Sequence, residues 1–195
     1  MNAHSRLWRS MALAAALVSV ATPARAQKHW AGTMKGSNEN PANASTAMGW
    51  ADIFLSGDML TVNVIWQGLI GGNPAAAHIH CCVAPGSNIG VAVGFPGFPT
   101  TTSGSYNNVF DLTNPAIYTA AFRNNFGGGT AAGAEAALIA GLDAGRAYVN
   151  IHNSVYPGGE IRANVVATPE PASMLLVATG LVAFVGVRWK RRPAA

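Results

Sequence analysis

Two short stretches of the chain bring together side chains that can hold a metal ion. In Ala76-Ala77-His78-Ile79-His80-Cys81-Cys82, alternate positions are His78, His80 and Cys82, and an extended strand turns residues two apart to the same face. In Tyr148-Val149-Asn150-Ile151-His152, the same alternation sets His152 beside Asn150 and Tyr148. If the two strands are neighbours, His78, His80, His152 and Cys82 form one donor set. Imidazole with thiolate suits zinc or copper. The competing reading makes these histidines hydrogen-bonded structural residues that hold the chain near Glu160 and Arg162.

The two cysteines are adjacent and are the only ones in the chain. Reduced thiols, metal ligation by Cys82, an intermolecular bridge and a bond between the neighbours all remain open at this stage. Glu160 and Arg162, two apart, are expected to make ion pairs at a sheet edge, worth roughly 0 to 1 kcal/mol on a surface. No Gly-rich phosphate loop opens a helix, and neither a Gly-x-Ser-x-Gly elbow nor a His-Glu-x-x-His element occurs. No catalytic residue is assigned, no cofactor is required by the sequence, and a non-enzymatic protein is the expectation.

The elements that must position these residues read as mostly β. Leu60, Val62, Val64 and Trp66 alternate along one face, and Ser56-Gly57-Asp58 joins that run to 50–55 as a hairpin. Further strands are expected over 75–83, 146–152 and 160–166, with a long surface loop carrying at most short strands between Pro85 and Ser105. Asn114-Pro115 predicts the start of a helix with Ile117, Ala121 and Phe122 on one face, and 130–142 predicts a second, Ala-rich helix. An antiparallel β-sandwich or barrel with two short helical connections buries these faces.

The ends of the chain are targeting segments. Arg6 and Arg9 precede an apolar run over 11–20 and an Ala24-Arg25-Ala26 box, which predicts a signal peptide over 1–26 cut after Ala26 by signal peptidase. Pro169-Glu170-Pro171 leads into an apolar stretch, 174–187, that stops at Arg188, Lys190, Arg191 and Arg192. Turn, span and positive stop in that order predict a transmembrane helix that leaves the preceding domain, 27–167, outside the inner membrane. The chain's net charge of +4 resides in these ends: between Gln27 and Ala167 five cations face seven acids, a net of −2. A nucleic-acid partner is excluded on that balance.

Two resemblances follow from these residues. The last 28 residues or so resemble the PEP-CTERM tripartite signal, which implies an exosortase-type membrane protease as partner and sorting from the inner membrane to the cell surface or matrix. The hairpin from Gly49, the His78-x-His80 strand, the helix ending Ala140-Gly141-Leu142 and the Tyr148-x-Asn150-x-His152 strand leading to Gly159-Glu160-Ile161-Arg162 resemble, in order, the chordin-type CHRD domain. That likeness implies a fold and an exported location. One departure is Cys81-Cys82, where that family tends to continue with Gly. The His-x-His element is also similar to that of copper-zinc superoxide dismutases, whose other ligands find no match here. The function expected is an exported, surface-sorted, non-catalytic binding or adhesion protein, with exopolysaccharide as one candidate partner. The alternative is a secreted metal-binding protein or metal-dependent oxidoreductase.

Overall fold

The computed structural model describes residues 27–168 and Thr179. The expected signal peptide, Pro169-Glu170-Pro171, the span 174–187 and the terminal Arg/Lys cluster lie outside the described residues. Among those described, no helix is long and apolar enough to cross a membrane.

Eight strands run β1 (Lys28–Lys35), β2 (Met48–Ser56), β3 (Met59–Gln67), β4 (Pro74–Cys81), β5 (Val91–Gly94), β6 (Gly104–Asp111), β7 (Ala147–Asn153) and β8 (Ile161–Ala167). They form one sheet in the order β5-β4-β7-β8-β1-β2-β3-β6, antiparallel throughout. The β2–β3 hairpin turns at Gly57, whose φ of 61° a β-carbon would oppose. The expected face of β3 is buried as predicted, with Leu60, Val62, Val64 and Trp66 all in the core. Trp30 and Met34, Ile53 and Leu55, Ile79, Val149 and Ile151, and Ile161 and Val165 add their strands' inward faces.

The sheet curls until its two edge strands approach each other. Phe95, just beyond β5, stacks on Tyr106 of β6 at 5.1 Å and reaches Phe110 at 6.1 Å. Between these edges an open cleft of about 970 Å³ replaces backbone pairing, with Phe98, Asn108, Tyr118 and His78 on its walls. The molecule is therefore a half-barrel, a single sheet rolled around an apolar core, in place of two stacked sheets.

Two helices cap the core: α1 (Ala120–Phe126) and α2 (Ala131–Asp143). Thr130 caps α2 by accepting from the Gly133 amide, and Leu138 and Leu142 are buried at its helical spacing. The helix expected from Asn114 is divided. Asn114 caps only a 3-10 turn, Pro115–Ile117, after which Tyr118 is extended and bridges to Val93. Thr119 then restarts the helix: its hydroxyl donates to Val91 O at 2.5 Å and accepts from Phe122 N at 3.1 Å. Docking onto the β5 edge outweighs a continuous helical face.

Candidate metal centre

Strands β4 and β7 are neighbours, although residues 82–146 separate them in the chain. The register pairs His78 with Asn150, His80 with Tyr148 and Ala76 with His152, so His152 lies diagonally from His78 across the ladder. Because Ala77 and Ile79 point into the core, the three imidazoles share the opposite, outer face. Their ring centroids stand 5.7, 5.1 and 6.0 Å apart. One nitrogen from each lies within 4.8 Å of the other two. Small side-chain rotations bring three nitrogens so placed onto one ion.

Hydrogen bonds settle two of the tautomers. His80 Nδ1 is 2.6 Å from the Ile89 carbonyl and His152 Nδ1 is 2.9 Å from the Pro157 carbonyl. A carbonyl only accepts, so each Nδ1 carries the proton and each Nε2 presents a lone pair. Those two Nε2 atoms have no protein partner, nor does His78 Nδ1. The remaining unpartnered buried side-chain N and O atoms among the described residues are Glu39 Oε1 and Asn150 Oδ1. Asn150 lies beside His80 and beside Glu39. Four of the orphans thus lie together, with Glu39 joined to them through Asn150, and Asn150 Oδ1 and the two assigned Nε2 atoms are acceptors. A buried orphan costs about 1 to 3 kcal/mol. Lone pairs grouped in this way would suit a guest that accepts them.

The electrostatics agree. Burial pushes His78 down to about 4, with neighbouring His152 and His80 adding to the effect. Burial likewise takes His80 to about 4, against the opposing hydrogen bond to Ile89, and it lowers His152. At neutral pH the three rings are uncharged, the form a metal requires. Glu39 moves the other way, its carboxyl raised to about 7 by burial, with Arg162 and Asn150 offsetting part of the rise.

A second layer holds the rings in place. Tyr148, on the strand between β4 and β8, stacks flat on His80 at 4.5 Å and an interplanar angle of 3°. The Arg162 guanidinium sits 3.4 Å over the same tyrosine ring. Arg162 itself is fully buried and donates to Asn164 Oδ1 at 3.0 Å, Asn88 Oδ1 at 3.1 Å and Ser87 O at 2.9 Å. It thereby ties loop 82–90 down over the outer face, where Ile89 also meets the Tyr148 hydroxyl at 3.3 Å.

Two sequence expectations are corrected here. Cys82 is not a ligand: it is bonded to Cys81, and the closure draws its sulfur off the histidine face toward α2. Glu160 and Arg162 are buried, and neither forms one of the salt bridges among the described residues. Glu160 is fully buried and accepts from Ser45 Oγ at 2.6 Å, Ile70 N at 2.7 Å, Gly71 N at 3.1 Å and Asn153 Nδ2. Glu39 and the carbonyls of Ile89 and Pro157 escaped the sequence reading, because loop residues that fold over a sheet carry no periodic signal.

Two family profiles match the chain: the CHRD domain over residues 30–165 and the PEP-CTERM protein-sorting motif over residues 167–192. No curated protein and no solved structure matches. The sorting motif marks the chain as a substrate of the exosortase-type membrane protease, exported and delivered to the surface. With the matched region reaching into all eight strands and including the histidine cluster, the chain belongs to the CHRD domain family.

Proposed function

We propose that this exported, surface-sorted protein binds a divalent transition-metal ion, zinc or copper, through His78, His80 and His152. The observation that carries the reading is the gathering of every unpartnered buried side-chain N and O atom of the described residues around three uncharged imidazoles. The donor chemistry is nitrogen only, which suits zinc and copper. Asn150, beside His80, offers an acceptor oxygen for the proton of a water on the ion. His78 also borders the open cleft between the sheet edges, which gives the site a route to solvent.

The placement favours a site presented outward. Arg162 pairs with Asn150 and with Lys35, so the histidine row lies at one end of the sheet. The chain leaves for its sorting tail at Thr168, tied to His29 O at the other end. Five residues of strand between Arg162 and Ala167 separate these rows by about 17 Å.

Elemental analysis by ICP-MS of untagged protein after loading and dialysis tests the proposal. Close to one equivalent of metal is expected, reduced to background in the His78→Ala and His80→Ala variants with circular dichroism unchanged. A folded wild-type protein that retains no metal sinks it. Superoxide turnover by the copper-loaded protein would shift the reading from binding to oxidoreductase.

An adhesive role has its own support at a different place. Met48, Trp50 and Ile65 stand 45%, 40% and 56% exposed on the outer face of β2 and β3, around a shallow groove. The Trp50 indole is held by its Nε1–H to Asp52 Oδ2 at 2.8 Å, leaving a ring available for stacking on a sugar. A glycan pull-down with exopolysaccharide, lost in Trp50→Ala, is the expected result; equal capture by both proteins refutes it.

A further inference from the structure

Cys81 and Cys82 form a disulfide between adjacent residues, directly after His80. In an uninterrupted strand Cys82 would follow His78 and His80 onto the outer face. The bond prevents this. Both sulfurs lie against α2, 3.9 and 3.4 Å from the Ala137 carbonyl, as packing contacts, since a disulfide sulfur has no proton to donate. Residue 141 is glycine where they rest: a β-carbon there would stand 2.9 Å from Cys82 Sγ and closer still to Cys81 Sγ. Cys81 is fully buried, β4 ends at it, and the chain bends over the next two residues.

That bend sets the course of the loop that follows. Val83 N–H donates to Arg146 O at 3.2 Å, and loop 82–90 then returns across the outer face. Its far end carries the Ile89 carbonyl that accepts from His80 Nδ1. His80 is therefore flanked in sequence by the covalent closure and met in space by the loop that the closure launches.

We propose that the Cys81–Cys82 disulfide is a positioning device for His80: it directs the chain from β4 into the loop whose Ile89 carbonyl orients the ring. It follows that the three-histidine site reaches full affinity only with the pair oxidised. The inference rests on the metal reading above, and it adds a redox condition to that site. Reduction by a water-soluble trialkylphosphine is balanced: the S–S bond breaks with two electrons from phosphorus, each sulfur takes a proton, and water oxygen ends on the phosphine oxide.

The test compares full-length wild-type protein in detergent, oxidised and phosphine-reduced, with the Cys81→Ala/Cys82→Ala variant. Zinc affinity is measured by competition with a chromophoric chelator, and amide hydrogen exchange is followed over 83–90 and over the β2–β3 hairpin. Losing an orienting partner of a metal-ligating histidine weakens binding by roughly 10- to 100-fold. The expected result is a loss of that size in the reduced protein and the variant, faster exchange over 83–90 and unchanged hairpin protection. Equal zinc affinity with equal protection over 83–90 overturns the proposal. Oxidised wild-type protein that binds no zinc overturns the metal reading and this one with it, which separates the two failures. Should the double variant lose hairpin protection, the phosphine-reduced wild type decides by the same two readouts.

Discussion

Replacing Glu160 by glutamine leaves shape and volume nearly unchanged and removes one acceptor, so it isolates what the buried carboxylate does. Oε1 takes the Ser45 hydroxyl and the Ile70 amide, while Oε2 takes the Gly71 amide and Asn153 Nδ2. A glutamine side chain must turn its NH2 toward one of these two pairs. The Ser45 hydroxyl can rotate and accept, but a backbone N–H cannot reverse, so at least one buried amide donor loses its partner. Asn153 has little freedom to compensate, because its Oδ1 already accepts from Tyr156 N at 2.9 Å. An unpaired buried donor costs about 1 to 3 kcal/mol, and hydrogen bonds to a charged group are worth about 1.5 to 3 each. Glu160→Gln should therefore cost about 3 to 5 kcal/mol, a large part of the roughly 5 to 15 that hold an ordinary domain together. An internal control is Asp143→Asn, which breaks an exposed ion pair with Lys28 and should cost under about 1 kcal/mol. Urea unfolding followed by tryptophan fluorescence measures both. If Glu160→Gln costs no more than Asp143→Asn, the carboxylate does not join loops 43–45 and 69–71 to the end of β7, and the reasoning fails.

Three further outcomes are expected. Gly141→Ala gains helix propensity yet drives a β-carbon into the disulfide, so overpacking of about 1 to 3 kcal/mol should dominate, and in the Cys81→Ala/Cys82→Ala background the sign should reverse; thermal melts of the four proteins check it. Glu39 has its folded pKa raised from 4.5 to about 7, so its contribution to stability is full below pH 4.5 and is lost as pH rises through 7. Glu39→Gln keeps that contribution and should gain on the wild type between pH 5 and pH 8, whereas a constant difference across the range contradicts the burial argument. Zinc at 100 times its dissociation constant should stabilise the wild type by about 2.7 kcal/mol and leave His80→Ala unmoved; an equal shift in both proteins places the ion elsewhere.

The histidine face was legible because the period of a strand is local: His78-x-His80 and Tyr148-x-Asn150-x-His152 each declare a side without reference to the rest of the chain. The adjacency of β4 and β7 was not written in that period, and it was supplied only as a condition. β1 escaped because Gly32 dilutes the inward row of Trp30 and Met34. β6 escaped because polar residues interrupt the spacing of Tyr106 and Phe110. The larger error concerned Glu160 and Arg162. Alternation correctly turns them off the core side of the sheet, and an outward polar residue is usually solvated. Here loops around residues 43–45, 69–71 and 82–90 bond across that face and bury it a second time. Period 2 distinguishes the two sides of a sheet; it does not tell which side is dry.

The correction at Cys82 changes what the centre should prefer. A thiolate would have made a mixed nitrogen–sulfur site suited to soft ions such as copper(I). With Cys82 drawn into the disulfide, the donors of the proposed centre would be imidazole nitrogens alone, a harder set that favours zinc(II) or copper(II). Disulfides persist in the oxidising compartments to which the sorting motif sends this protein. Export thus removes the thiolate by oxidation and leaves three imidazoles whose pKa burial lowers, to about 4 for His78 and His80. On the proposed reading, the covalent closure that takes one donor away also shapes the loop that orients another, so reduction of the sulfur pair should weaken the histidine site.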